Sequence, residues 1–232
     1  NKSKINHFYR SYTKYKNKSL PFVTCKLAVS KDFYTINKKN KWITNKFSRG
    51  RVHIMRSQHD CLITGVGTIL KDNPTLDCRI KGLENRSPTR IILDSKLKIP
   101  MTSNVLNTSR AYKTIIFYNK DDKRKIKSLK KKNIKLIKSL VLKNGHFDLK
   151  KVLVKIKNLG YSRIFLEAGL NLVYSFLNKN LICDLHLFIS NKYIKKNGDG
   201  KIKKNYRLFF NKNKNMNLEK INLFEDKLIT YN

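Results

Sequence analysis

Acid is scarce in this sequence: 15 Asp and Glu stand against 52 Lys and Arg in 232 residues, a formal net charge of +37 at pH 7. Such a charge draws polyanions by counterion release and speeds encounter with phosphorylated ligands. The lysines, however, are spread along the whole chain among Asn and Ile instead of forming one stripe. The reading is therefore a solvated lysine face from composition bias, not a specific nucleic-acid site. Cysteine is also sparse. Cys25, Cys61, Cys78 and Cys183 stand singly, with no CxxC and no Cys/His pair at metal-ligand spacing. Neither a disulfide framework nor a metal site is expected, and a reducing cytoplasm fits. No apolar run approaches the roughly 18 residues that span a bilayer. The opening NKSKINHFYRSY lacks the apolar stretch of a secretory signal, so a soluble chain with no membrane partner is expected.

What is present is a regular alternation of periods. Val23, Cys25, Leu27 and Val29 alternate with Thr24, Lys26, Ala28 and Ser30, which predicts a strand with one apolar side and one side fit to line a cleft. After a Lys/Asn-rich loop, Thr44 or Asn45 can cap a helix to about Gln58, with Val52 and Met55 inward. CLITGV is a buried strand ended by glycine; a helical turn from Thr68 to Leu70 follows, stopped by Asn73-Pro74. RIILD (90–94), TIIFY (114–118) and IKLI (134–137) read as strands, with a lysine-rich surface helix between Asp121 and Asn133. Leu149, Val152, Leu153, Ile156 and Leu159 hold helical spacing between an Asp148 cap and a Gly160 stop. SRIFLE, the turn AGLN, a short helix LVYSFLNK and the strand CDLHLFIS complete the pattern. An α/β domain with a largely parallel sheet and helices on both faces follows. The tail, with YRLFF and INLFEDKLITYN, reads as antiparallel closing strands.

Three polar clusters sit at strand ends, where such a sheet binds ligands: Lys26 to Asp32, Gly65 to Arg79 and Glu167 to Ser175. Free backbone N–H groups after Gly169 can hold a phosphate or pyrophosphate, or Gly169 is simply a turn glycine. Arg56 and Arg79 each suit a substrate phosphate, with a solvated surface arginine as the alternative. Asp32, Asp72 and Glu167 are open to the same two readings, ligand contact or a cap or salt bridge.

The order of PFVTCKLAVSKD, KWIT, VHIMRSQHDCLITGVGTILKDNPTLDCR, RIILDSKLKIP, IFLEAG and DLHLFIS carries a resemblance. Over about residues 21 to 194 the chain resembles the reductase domain of the bacterial bifunctional riboflavin-biosynthesis deaminase/reductase, the 5-amino-6-(5-phosphoribosylamino)uracil reductase family. The resemblance implies a dihydrofolate-reductase-like, three-layer α/β fold over residues 21–232. It also implies NADPH as hydride donor to the former anomeric carbon of a phosphorylated aminopyrimidine, and a homodimer. By motif, Ala28, Trp42, Thr68, Asp72, Ser95 and the turn Gly169, Leu170, Asn171, Leu172, Val173, Tyr174 and Ser175 would contact the cofactor. Asn40, Arg56, Leu76, Arg79 and Glu167 would contact the substrate, and Lys26 would be the catalytic lysine. Trp42 competes with plain core packing. Residues 1–20 resemble the connector that follows the deaminase in the fused enzyme. The chain itself has no H-x-E and no P-C-x-x-C, so a deaminase, fused or separate, would be a partner. The chain departs from the family at Phe33, usually Gly, at Asn40, usually Ser, and at Asn191-Lys192-Tyr193, usually Pro-Lys-Leu. Two other readings stay open: the same scaffold reducing another pterin or pyrimidine, and a non-catalytic nucleic-acid-binding protein suggested by charge alone.

Overall fold

Short apolar runs separated by capped amphipathic segments fold here into alternating strands and helices. The computed structural model describes residues 9–13, 16, 20–40, 42–203 and 216–231. Its elements are β1 (Phe22–Val29), β2 (Tyr34–Asn37), α1 (Lys46–Ser57), β3 (Cys61–Gly65), α2 (Val66–Asp72), β4 (Thr89–Leu93) and α3 (Asn104–Asn107). There follow β5 (Thr114–Tyr118), α4 (Lys123–Lys131), β6 (Lys135–Lys138), α5 (Leu149–Asn158), β7 (Arg163–Glu167) and α6 (Leu170–Asn178). The chain closes with β8 (Asp184–Ile189), β9 (Gly198–Lys201), β10 (Met216–Leu218) and β11 (Lys227–Tyr231). The main sheet is nine-stranded in the order β10-β11-β8-β1-β7-β3-β4-β5-β6. Every neighbouring pair from β8 to β6 is parallel, whereas β11 runs antiparallel to β8 and β10 to β11.

Two apolar clusters sandwich this sheet. On one face Val23, Cys25, Ile63 and Leu166 pack under α5 and α6 through Val152, Ile156, Val173 and Phe176. On the other, Leu62, Ile92, Phe165 and Phe188 pack under α1 to α4 through Val52, Met55, Ile69, Leu106 and Leu129. The central strands are apolar on both sides because both faces are covered. At the edge, β6 instead exposes Lys135 and Lys138, charges that discourage pairing with another chain.

The expected elements form with small shifts. Asn45 caps α1 by accepting from the N–H groups of Phe47 and Ser48 at 2.9 and 3.0 Å, and Asp148 caps α5 likewise. The helix after β3 begins at Val66, ahead of the expected Thr68, because the Gly65 backbone is already extended and leads straight into it. The Lys/Asn-rich loop contains a strand: β2 pairs antiparallel with β9 in a separate two-stranded ribbon. No local period could announce that pairing, since its partner lies far along the chain. Of the expected closing strands, YRLFF lies outside the described residues, while residues 227–231 form β11. The described part of the stretch before β1 is helical at residues 9–13, and Arg10 reaches the buried Asp184 at the start of β8.

Candidate active site

Strands paired in parallel place unlike residues side by side at one level. Lys26 of β1 lies opposite Glu167 of β7 and His186 of β8. Side chains alternate along a strand, and Ala28 and Phe165, each two residues away, pack in the cluster under α1. Lys26 and Glu167 therefore face α1. From its last turn Arg56 reaches Glu167: Nε and Nη2 donate to the two oxygens of Glu167, each at 2.9 Å, and Nη1 donates to the Asp77 carbonyl at 2.8 Å. The pair is largely out of water, with side chains 9% and 18% exposed.

Burial alone would push the Glu167 carboxyl up, but the charges of Arg56 and Lys26 and the Arg56 hydrogen bonds hold it below the usual carboxylate range. Glu167 is thus an anion at neutral pH. Burial pulls Lys26 below the usual lysine range; Glu167 opposes that shift and Arg56 adds to it. A lysine so placed gives up its proton more readily than a surface lysine does.

The segment after the Asn-Pro turn has no regular structure and is held from two sides. Leu76 is buried with φ of 58°, a left-handed conformation that costs a leucine about 1–2 kcal/mol. The carbonyls on either side of it are gripped by buried arginines, Asp77 O by Arg56 and Thr75 O by Arg90 at 2.8 Å. Arg79 then emerges with its side chain 61% exposed, its Nε 3.6 Å from Asp77 Oδ1. Hydrogen bonds and register thus bring Lys26, Glu167, Arg56, Leu76 and Arg79 into one group. Arg56 is engaged with Glu167 and Asp77, which leaves Arg79 as the exposed arginine of the group.

The proposed cofactor side assembles around two helix starts. Gly65 precedes α2 and Gly169 precedes α6, and neither helix start has a side-chain cap. Leu172 lies 3.7 Å from where a Cβ on Gly65 would stand, so the two starts adjoin. A Cβ on Gly169 would meet nothing within 4 Å. Thr68 is half-buried in the first turn of α2, Ala28 half-buried near the end of β1, and Ser95 half-buried just past β4. The helix begins at Leu170, so the expected turn is confined to residues 168 and 169. Val173 is fully buried and its side chain belongs to the core. The Ser175 hydroxyl donates to Asn171 O at 2.9 Å, and the Tyr174 hydroxyl accepts from Lys203 N at 3.2 Å. Trp42 is 53% exposed with the Arg49 guanidinium 4.7 Å from its ring centre, so it is not a core residue. Asn40 is exposed on the same connection from β2 to α1. Asp72 ends α2 in solvent and, among the described residues, shares no hydrogen bond with the group around Lys26.

Asp32 resolves to one of its two expected readings, whereas His53, Arg90 and Asp77 at the site were not anticipated. Asp32 turns out to be a cap: it accepts from Ser30 Oγ and from the N–H groups of Ile194 and Lys195. His53 touches Asp77 and Arg79, and its spacing of three from Arg56 on a helix was the available signal, since such residues share a face. Arg90 and Asp77 had no signal, because their partners are backbone groups supplied by the fold.

A parallel sheet with helices on both faces, carrying a charged group between its central strands and α1, defines an α/β domain. The chain belongs to the family described as the RibD C-terminal domain, whose profile matches residues 21–203. It is 36% identical over 174 residues to the riboflavin biosynthesis protein RibD of Aquifex aeolicus, covering 74% of this chain and 47% of that protein. It is 28% identical over 172 residues to the 5-amino-6-(5-phosphoribosylamino)uracil reductase of Buchnera aphidicola, 68% of this chain and 78% of that one. The chain spans about half the length of the RibD relatives it matches. The structure of Acinetobacter baumannii RibD shares the fold, with a TM-score of 0.75 at 20% identity over 96% of this chain and 60% of that chain.

Proposed function

We propose that this chain is an NADPH-dependent reductase that converts the ribosyl group of 5-amino-6-(5-phosphoribosylamino)uracil to the ribityl group, a step of riboflavin biosynthesis. The observation that carries the reading is the group of Lys26, an ionised Glu167 and an exposed Arg79, in a chain of the RibD C-terminal domain family.

The uncapped start of α6, open at Gly169, suits a nucleotide phosphate, and Ala28, Trp42, Thr68, Asp72, Ser95, Gly169 to Leu172, Tyr174 and Ser175 would hold the cofactor, with Val173 packing behind them in the core. When bound, NADPH supplies the hydride. The chain's own residues bind and move a proton. Arg79 takes the substrate phosphate, with Asn40 and Leu76 against the sugar and pyrimidine. The Lys26 ammonium gives its proton to the ring oxygen as the carbon–oxygen bond breaks and the adjacent nitrogen forms a C=N bond, leaving the former anomeric carbon open to the hydride. Burial eases that proton loss, and the Glu167 charge keeps the ammonium formed beforehand. Arg56 acts through Glu167 and through the Asp77 carbonyl. The proposed setting is the cytoplasm, as a homodimer supplied by a fused or separate deaminase.

The test is loss of NADPH absorbance with freshly deaminated phosphoribosylaminouracil as substrate. Turnover by the wild-type chain that falls at least tenfold in Arg79→Ala is expected, since charge-assisted hydrogen bonds carry about 1.5–3 kcal/mol each. An NADPH-binding chain that leaves this substrate unreduced would point to another pterin or pyrimidine, and a chain that binds no NADPH would end the reading.

A further inference from the structure

His53 lies one turn before Arg56 on α1, half-buried, and its imidazole makes more contacts than one tautomer can serve. Nδ1 is 3.1 Å from the Asp77 carbonyl and 3.1 Å from the Arg79 backbone nitrogen, while Nε2 is 3.3 Å from Arg79 Nη2. With the proton on Nδ1, the ring donates to Asp77 O and accepts from the Arg79 guanidinium, but the Arg79 N–H then meets another donor. With the proton on Nε2, Nδ1 accepts the Arg79 N–H, and Nε2–H and Nη2–H face each other as two donors. Asp77 O already accepts from Arg56 at 2.8 Å, whereas among the described residues His53 is the acceptor found for the Arg79 N–H. The second tautomer therefore satisfies the backbone and leaves a pair of donors side by side.

Two adjacent donors are a site for one anionic oxygen. The Arg79 side chain is mostly exposed, so the pair is open to an incoming ligand. The charged groups around the ring are Arg79, Arg56, Asp77 and Glu167. The Asp77 carboxylate engages the Nε side of Arg79 and accepts from the Thr75 hydroxyl, which aims the guanidinium and keeps Nη2 toward the imidazole.

We infer that His53 is a substrate-binding residue: its Nε2–H, beside Arg79 Nη2, donates to a phosphomonoester oxygen, while its Nδ1 holds the Arg79 backbone. The inference rests on the proposed site, but it predicts recognition of a sugar phosphate whether or not reduction follows. It also explains why one helix carries both His53 and Arg56: together they hold residues 77 to 79, Arg56 through Asp77 O and His53 through Arg79 N.

The experiment measures binding of ribose 5-phosphate, inorganic phosphate and ribose to the whole chain without NADPH, for wild type, His53→Asn and His53→Gln. Asn keeps an acceptor near Nδ1 and lacks the outer donor; Gln places an amide N–H near Nε2. Expected is ribose 5-phosphate affinity weakened about tenfold or more in His53→Asn and less in His53→Gln, with ribose binding unchanged. Equal loss for ribose and ribose 5-phosphate would mean a merely structural histidine and would overturn the inference, as would unchanged ribose 5-phosphate affinity in His53→Asn. Inorganic phosphate binding as tightly as the sugar phosphate would likewise overturn the sugar-phosphate assignment. Nitrogen NMR of wild-type histidine gives a second measure that needs no variant: saturation with ribose 5-phosphate should leave the proton on Nε2, and a proton fixed on Nδ1 would contradict the scheme. Because no turnover is read, failure of the reductase reading would leave these outcomes intact and be told apart from them.

Discussion

Two buried arginines grip the same segment in different ways. Arg56 meets a carboxylate, Glu167, and spends one further donor on a carbonyl. Arg90 is fully buried and donates to Thr75 O, Val105 O, Tyr112 O and the hydroxyls of Thr108 and Thr114, with no carboxylate in hydrogen-bond reach among the described residues. Burial accordingly pulls the Arg90 pKa down to about 10, while Glu167 keeps Arg56 above its usual value despite burial. The difference separates scaffold from site. A guanidinium solvated by carbonyls fixes backbone and little else, whereas one paired with a carboxylate also sets the field in which Lys26 holds its proton.

The largest effect that would test this comparison is Arg56→Met. It strands a buried carboxylate and should cost about 3–5 kcal/mol in denaturant titrations at neutral pH. Glu167 is depressed in the folded state, so its contribution is present above the ordinary carboxylate value and is lost as pH falls through the lower folded value. The Arg56→Met penalty should therefore shrink in acid. Arg90→Met should cost somewhat less, about 3 kcal/mol from carbonyls left without donors, and that cost should be the same at acid and neutral pH. If both penalties shrink alike, the two arginines do not differ as argued.

A subtler change sharpens the role of Glu167. Lys26 sits below the usual lysine range, so kcat should fall on the alkaline side at a pH below the ordinary lysine value of 10.5. Glu167→Gln removes the charge that raises Lys26 and should move that limb to lower pH, read from the pH profile of kcat. An unmoved limb would mean that Lys26 is not the proton donor. The smallest effect belongs to the opposite face of the sheet. Asp148→Ala removes the α5 cap and should cost about 1 kcal/mol in thermal or denaturant unfolding while leaving turnover as in wild type.

Local signals carried most of the fold. The alternation around Lys26, the Asn45 and Asp148 caps and the apolar strand runs each depend on neighbours within a turn or a strand, and each appears where expected. The β2–β9 ribbon did not, because its register joins Ile36 to Asp199, far along the chain, and the partner segment Gly198–Lys201 carries no apolar side chain. The same division holds at the site. Motif resemblance named Lys26, Arg56, Arg79 and Glu167, but the two hydrogen bonds from Arg56 to Glu167 span 111 positions and become visible only when α1 packs on β7. Arg90 looked like one more member of an apolar strand run. Its role comes from five neighbouring residues, none of which is distinctive in sequence.

The central claim is hydride transfer to the former anomeric carbon at the site of Lys26, and isotope transfer tests it most directly. The chain is given NADPH deuterated at the transferable position of the nicotinamide together with 5-amino-6-(5-phosphoribosylamino)uracil, and the product is read by mass spectrometry and NMR. One deuterium on the first carbon of a ribityl chain, formed by wild type and lost in Lys26→Met, is the predicted result. Label in the pyrimidine ring, or the same ribityl product at the same rate from Lys26→Met, would contradict the account.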